Sequence, residues 1–148
     1  LTYAFLHGDI GHLFFNMIGL WMFGGELERL WGQKRYIHFL LAGALSAAAV
    51  QIVWTMLIGS RVPTVGASGA IFALLLAFGM LFPNRTIMLL IPPIPMKAKF
   101  FVAIFGALEL VLGFMGGGGV AHFAHLGGML GGFLMIRFWR GQSPFGKR

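Results

Sequence analysis

Residues 66–82 read GASGAIFALLLAFGMLF, an apolar run that opens on a serine framed by glycines. No charged residue follows Ser68 until Arg85, so the run has the composition of a membrane-embedded helix. The helix predicted over 68–82 has about 15 residues, so at about 1.5 Å per residue it covers roughly 22 Å of a hydrocarbon core about 30 Å thick. One of its ends is therefore expected below the membrane surface. If that end carries Ser68, the hydroxyl lies in a recess.

The composition of the whole chain indicates a membrane protein. Of its 148 residues, 58% are hydrophobic and 10% are charged, whereas soluble domains carry roughly 25% charged residues. Lipid can cover apolar side chains that a soluble domain of this size could not bury. We therefore predict an all-α, polytopic transmembrane helix bundle that forms one domain over residues 1–148, in contact with the lipid bilayer.

Charge and cysteine content exclude several other classes of protein. A net charge of +7 would suggest nucleic-acid binding in a soluble chain. Here the charges fall between the apolar segments, so membrane topology explains them and no nucleic-acid partner is predicted. The absence of cysteine removes disulfides, thiolate catalysis and cysteine-ligated metals.

Five apolar segments and the charges between them predict the topology. The segments span about 10–27, 36–58, 68–82, 100–115 and 120–139. The two loops after the first and third segments, together with the carboxyl-terminal tail, hold nearly all the lysines and arginines, and Arg61 alone lies on the other face. The basic face is predicted to be cytoplasmic, so segments one, three and five begin at the outer face. The chain starts at Leu1, and we expect upstream sequence to precede it.

Four polar residues lie near the outer ends of these segments, where they can share one water-accessible cavity. Ser68 begins the third segment, where free backbone N–H groups suit a developing oxyanion. Gly66 and Gly69 beside it would let a substrate backbone approach closely. The alternative is that Ser68 only caps its helix.

The remaining polar groups could complete a catalytic site. His125, near the start of the fifth segment, could act as a base toward Ser68, the alternative being a structural histidine. His12 and Asn16 are spaced i, i+4 and share a helix face, where they could donate to an oxyanion or tie two helices together. Gly128 and Gly132 follow His125 at helical spacing and predict close packing of the fifth segment on the third.

Further titratable groups receive no catalytic role. His7 and His122 would suggest a metal site together with the other histidines, yet no HExxH motif occurs. We predict neither a metal nor a cofactor. Glu109 is predicted to be structural, and no carboxylate is placed to orient His125, so the expected arrangement is a serine–histidine dyad. The glycine run at 116–119 is read as a loose loop, or as a gate beside the cavity.

These motifs together resemble the rhomboid family of intramembrane serine proteases. The resemblance rests on three stretches in order: HLFFNM at 12–17, GASG at 66–69 and AHLGG at 124–128. It implies a six-helix core of which five helices are present, the first being absent from this chain.

The resemblance also implies that Ser68 is the nucleophile and His125 the general base, and that His12, Asn16 and the Ser68 N–H bind the oxyanion. Phe72 departs from the tyrosine that relatives often carry there.

The family resemblance implies hydrolysis of peptide bonds in or near transmembrane segments of membrane-protein substrates. The alternative is a catalytically inactive relative that binds and escorts membrane helices, and a third reading is a metal transporter built on the histidines. We expect a multi-pass protein of a bacterial plasma membrane, with the active site toward the outer face. The oligomeric state and the substrate are left open.

Overall fold

The computed structural model describes residues 1–59, 64–89, 92–115 and 121–141. Arg61 and the glycine run at 116–119 lie outside these ranges. The helices are α1 Ile10–Gly19, α2 Gly25–Trp31, α3 Gln33–Ile58, α4 Ser68–Leu81, α5 Ala98–Met115 and α6 His122–Trp139. A 3₁₀ turn at Thr2–Phe5 precedes them, and strands β1 Thr86–Met88 and β2 Pro95–Lys97 form an antiparallel hairpin. The predicted helical bundle is confirmed.

The first predicted segment forms one rod that is longer than expected. A π-helical segment, Leu20–Gly24, joins α1 to α2 without interrupting the helical backbone. The rod ends at Gly32, whose φ of 76° lies in a region that favours glycine, and α3 begins at the next residue. With α1 and α2 joined, the described helices form the five rods that the hydropathy pattern predicts.

Two of the helices, α3 and α5, are long and apolar enough to cross a membrane by length and composition. Their most apolar windows are only 17% and 11% buried inside the structure. Most of their apolar side chains therefore face outward, which is what a lipid-facing helix requires and what the core helix of a soluble protein does not show.

Helix α4 is shorter and lies in the centre of the bundle, against α3 and α6. Small residues allow the helices to approach closely. A Cβ added at Gly128 would lie 1.8 Å from the backbone oxygen of Gly69, and one at Gly132 would lie 3.1 Å from the Cα of Ala73. On the neighbouring face of α6, a Cβ at Gly131 would lie 2.5 Å from the Cβ of Ser46 on α3. The helices therefore meet at backbone distance, as small-residue stripes allow.

The two ends of the bundle differ in chemistry. At one end Trp31, Phe39 and Trp139 pack together, and Arg85 forms an ion pair with Glu26 beside the β-hairpin. At the other end the first turns of α1, α4 and α6 come together. This grouping places the polar residues of three separate stretches within one region of the bundle.

Candidate active site

Ser68 and His125 meet at the amino-terminal ends of α4 and α6. The Oγ of Ser68 lies 2.8 Å from Nε2 of His125, a hydrogen-bond distance. Ser68 is the first residue of α4, and the capping position is Ala67, which makes no side-chain cap. The Ser68 hydroxyl therefore faces the imidazole and does not cap its own helix. His125 is buried.

Phe72 fixes the plane of the imidazole. It lies one turn after Ser68 on α4, and its ring stacks on that of His125 with centroids 4.3 Å apart and planes 6° apart. This stack requires no hydroxyl, so phenylalanine supplies it as well as tyrosine would.

His12 and Asn16 project from α1 toward the glycine turn that precedes Ser68. The Asp9 side chain caps α1 by accepting from the His12 backbone N–H at 2.8 Å. Gly66 has φ +110°, and a Cβ there would lie 2.7 Å from the His12 ring and 3.3 Å from Asn16 Nδ2. Asn16 is buried, and its Nδ2 has no hydrogen-bond partner among the described residues. An unsatisfied buried donor beside the turn is suited to binding an oxyanion.

The glycines around Ser68 have a different role from the predicted one. The sequence predicts that Gly66 and Gly69 admit a substrate backbone, but atoms of the chain itself occupy the positions where their side chains would be. His12 and Asn16 do so at Gly66, while Ala47 lies 2.4 Å from the position of a Cβ at Gly69. Both glycines therefore permit packing within the bundle, which sets the position of Ser68.

A cavity of about 780 Å³ connects these side chains. Exposed residues such as Gly8, Gly11 and Phe15 lie at its rim. Its lining also includes His12, Asn16, Ser68, Phe72, His125, Phe23, Phe101 and Phe105. The four polar residues predicted to share a cavity thus line the same one. His7 does not line it, but contacts His12 edge to face with ring centroids 5.1 Å apart.

The prediction that no carboxylate orients His125 is wrong. Glu109 of α5 places Oε2 2.9 Å from Nδ1 of His125 and 2.7 Å from Nδ1 of His122. The spacing along the chain gives the depth of Glu109 in the bundle but not the direction of its side chain. Glu109 lies within two turns of the end of α5, and the two histidines lie in the first turn of α6, which follows in sequence. Antiparallel neighbours bring such positions to the same depth.

The same three side chains are the candidate metal ligands of the described residues. One ligand atom from each of Glu109, His122 and His125 lies within 4.8 Å of the others. The two ring nitrogens lie 2.7 Å and 2.9 Å from the same oxygen, and the shorter contact, to His122, is a hydrogen bond. Ligands around one tetrahedral zinc ion lie roughly 3.3 Å apart, given bonds of about 2.0 Å. The arrangement therefore suits a carboxylate hydrogen-bonded to an imidazole better than a set of ligands around one metal ion.

The fold and the site together define a class: a helical membrane protein with a hydrogen-bonded serine–histidine pair in an open cavity. The rhomboid domain model matches residues 1–141. The chain belongs to the rhomboid family.

Similar proteins come from several kingdoms. The chain is 32% identical over 136 residues to Rhomboid protein 1, mitochondrial, of Saccharomyces cerevisiae, with 88% of this chain and 38% of that protein covered. It is 33% identical over 144 residues to RHOMBOID-like protein 12, mitochondrial, of Arabidopsis thaliana, with 86% and 42% covered. It is 33% identical over 140 residues to Rhomboid protease GluP of Bacillus subtilis, with 90% and 24% covered. No solved structure matches the chain.

The chain spans less than half the length of these curated relatives. Membrane location follows from the family and from the apolar helices. The names of the relatives do not support the narrower expectation of a bacterial plasma membrane, because two of these three are named mitochondrial.

Proposed function

We propose that this chain carries the catalytic core of an intramembrane serine endopeptidase, which hydrolyses peptide bonds in or near transmembrane segments of membrane-protein substrates. The observation that supports it is the 2.8 Å contact between Ser68 Oγ and His125 Nε2 in a cavity within an outwardly apolar bundle. Membership of the rhomboid family, with one relative named a protease, adds support at the family level.

In the proposed acylation step, Ser68 Oγ attacks the carbonyl carbon of the substrate while its proton passes to His125 Nε2. The oxyanion receives hydrogen bonds from the Ser68 backbone N–H and the Asn16 amide, with the His12 ring beside them. His125 then protonates the leaving amine, and the C–N bond breaks to leave an acyl ester on Ser68. Water activated by His125 hydrolyses that ester and restores the hydroxyl.

The cavity walls favour a membrane-derived substrate. Phe15 and Phe23 contribute from the first rod, and Phe101 and Phe105 contribute from α5. Aromatic walls suit the apolar side chains of a transmembrane segment, while the polar residues around Ser68 suit its exposed peptide groups.

The positions of the basic residues indicate how the bundle is oriented across the membrane. The described basic residues at the end of α2, at the start of α3 and at the end of α6 lie at the opposite end of the bundle from the cavity. We propose that this basic end faces the cytoplasm. The active site then opens toward the opposite face, which in a plasma membrane is the outer one.

Cleavage of a reporter transmembrane substrate by the purified protein in liposomes tests the proposal. Wild-type protein is expected to cleave it, and Ser68→Ala and His125→Ala are each expected to lose activity by about 10⁶-fold. Circular dichroism checks that both variants keep their helices. Cleavage by Ser68→Ala at the wild-type rate would overturn the proposal. Binding of the reporter without cleavage by wild-type protein would favour the helix-escorting alternative, and chelator-sensitive metal uptake would favour the transporter.

A further inference from the structure

Glu109 is a largely buried carboxylate that has no role in a serine–histidine dyad. It lies on α5, a helix whose other side chains are nearly all apolar, and its own side chain is only 12% exposed. A carboxylate in a membrane-spanning helix is costly unless it has partners. Its partners are the two histidines of α6, both of which approach the same oxygen, Oε2.

The two contacts with Oε2 differ in geometry. The His122 Nδ1–H donates a hydrogen bond to it at 2.7 Å. The His125 Nδ1 lies 2.9 Å away, yet its N–H is not aligned for a hydrogen bond to any described residue. His122 therefore anchors the carboxylate, and the carboxylate acts on His125 through its charge.

The position of this charge decides which nitrogen of His125 holds the proton. An ionised carboxylate only accepts hydrogen bonds, so a lone pair on Nδ1 would be repelled by Oε2. A proton on Nδ1 is attracted to it. With the proton on Nδ1, the Nε2 atom carries a free lone pair and faces the Ser68 hydroxyl at 2.8 Å. This is the tautomer that a general base requires.

We propose that Glu109 is a positioning residue that holds His125 in its Nδ1-protonated tautomer and stabilises the imidazolium formed when Ser68 gives up its proton. The site is then a Ser68–His125–Glu109 triad in which His122 anchors the carboxylate. The inference rests on the proposed protease function.

The competing explanation is mechanical, because the Glu109–His122 hydrogen bond also ties α5 to α6. Substitutions separate the two roles. Glu109→Gln keeps the shape and a polar partner for His122 but removes the charge from His125. Glu109→Asp keeps the charge at a shorter reach. Glu26→Gln makes the same carboxylate-to-amide change at the far end of the bundle and serves as the matched control.

The kinetic test measures kcat, KM and the thermal midpoint of each variant in the same liposome assay. Glu109→Gln is expected to lower kcat about 10²-fold, with KM within twofold of wild type. In a soluble serine protease, replacing a carboxylate that is fully aligned with the histidine lowers kcat about 10⁴-fold. A smaller loss is expected here because the contact between Glu109 and His125 is not aligned. Glu109→Asp is expected to recover part of kcat, while Glu26→Gln keeps the wild-type value.

A spectroscopic test observes the tautomer directly. In protein labelled with ¹⁵N-histidine, assigned by comparison with His125→Asn, the ring shifts of His125 are expected to show the proton on Nδ1 in wild type. A mixture with the Nε2-protonated form is expected in Glu109→Gln.

Three results would overturn the inference. The first is wild-type kcat and an unchanged tautomer in Glu109→Gln. The second is a loss of kcat that follows the thermal midpoint and is not recovered by Glu109→Asp. The third is activity lost on chelation and restored by zinc, which would assign the cluster to a metal. Each is distinct from failure of the proposed function, in which wild-type protein does not cleave or Ser68→Ala still does.

Discussion

Replacing Gly128 with alanine is expected to slow the reaction at the site without changing any side chain in it. Gly128 lies one turn after His125, and Gly69 follows Ser68 directly. A Cβ at Gly128 would lie 1.8 Å from the Gly69 backbone oxygen. Restoring even a tight contact of 3.0 Å requires α4 and α6 to separate by about 1.2 Å.

This displacement has a calculable effect on catalysis. Transferred to the nearby Ser68 hydroxyl, it stretches the 2.8 Å contact with His125 to about 4 Å. A misplacement of about 1 Å can cost on the order of 10²-fold in rate. Overpacking of this kind also costs about 1–3 kcal/mol of stability, partly offset by the better helix propensity of alanine, about 1 kcal/mol.

The assay measures the rate at which a fluorophosphonate labels Gly128→Ala, wild-type protein and a Gly25→Ala control. Nothing lies within 4 Å of a Cβ built at Gly25, so this control adds a methyl to a helix without a clash. Labelling of Gly128→Ala is expected to be about 10²-fold slower, and labelling of Gly25→Ala to be unchanged. If Gly128→Ala reacts as fast as wild type, the contact between α4 and α6 does not determine the geometry of the site.

Substitutions at three further positions test other parts of the site and the bundle. Asn16→Ala removes a buried donor that lacks a partner, and kcat is expected to fall about 10²-fold with little change in KM; equal kcat would exclude an oxyanion role. Phe72→Ala removes the ring stacked on His125 and is expected to lower kcat, whereas Phe72→Tyr keeps it; the reverse order would contradict the stacking argument. Arg85→Ala breaks a partly exposed ion pair with Glu26, and chemical denaturation is expected to show a loss below about 1 kcal/mol; a larger loss would indicate a structural role.

The helices and the meeting of Ser68 with His125 could be predicted because both follow from simple patterns. Hydropathy identifies the segments that contact lipid. The positions of the basic loops then give the orientation of each segment across the membrane. Small residues at Gly69 and Gly128 mark the faces along which two helices approach. The structure places those faces in contact.

The contact of Glu109 with the histidines does not follow from the sequence, for a physical reason. Helix α5 is apolar around most of its circumference, so its sequence carries little record of which face turns toward α6. The rotation of α5 about its axis is set by packing, and that rotation alone decides whether the carboxylate meets the histidines. The packing role of Gly66 does not follow from the sequence for a similar reason. That role depends on how α1 packs against the turn before α4.

Mass spectrometry of the fluorophosphonate adduct identifies the nucleophile and shows whether it depends on His125. A single adduct is expected on the peptide that contains Ser68, formed by wild-type protein and lost in His125→Ala. An adduct on another residue, or equal labelling of Ser68 without the imidazole, would contradict it.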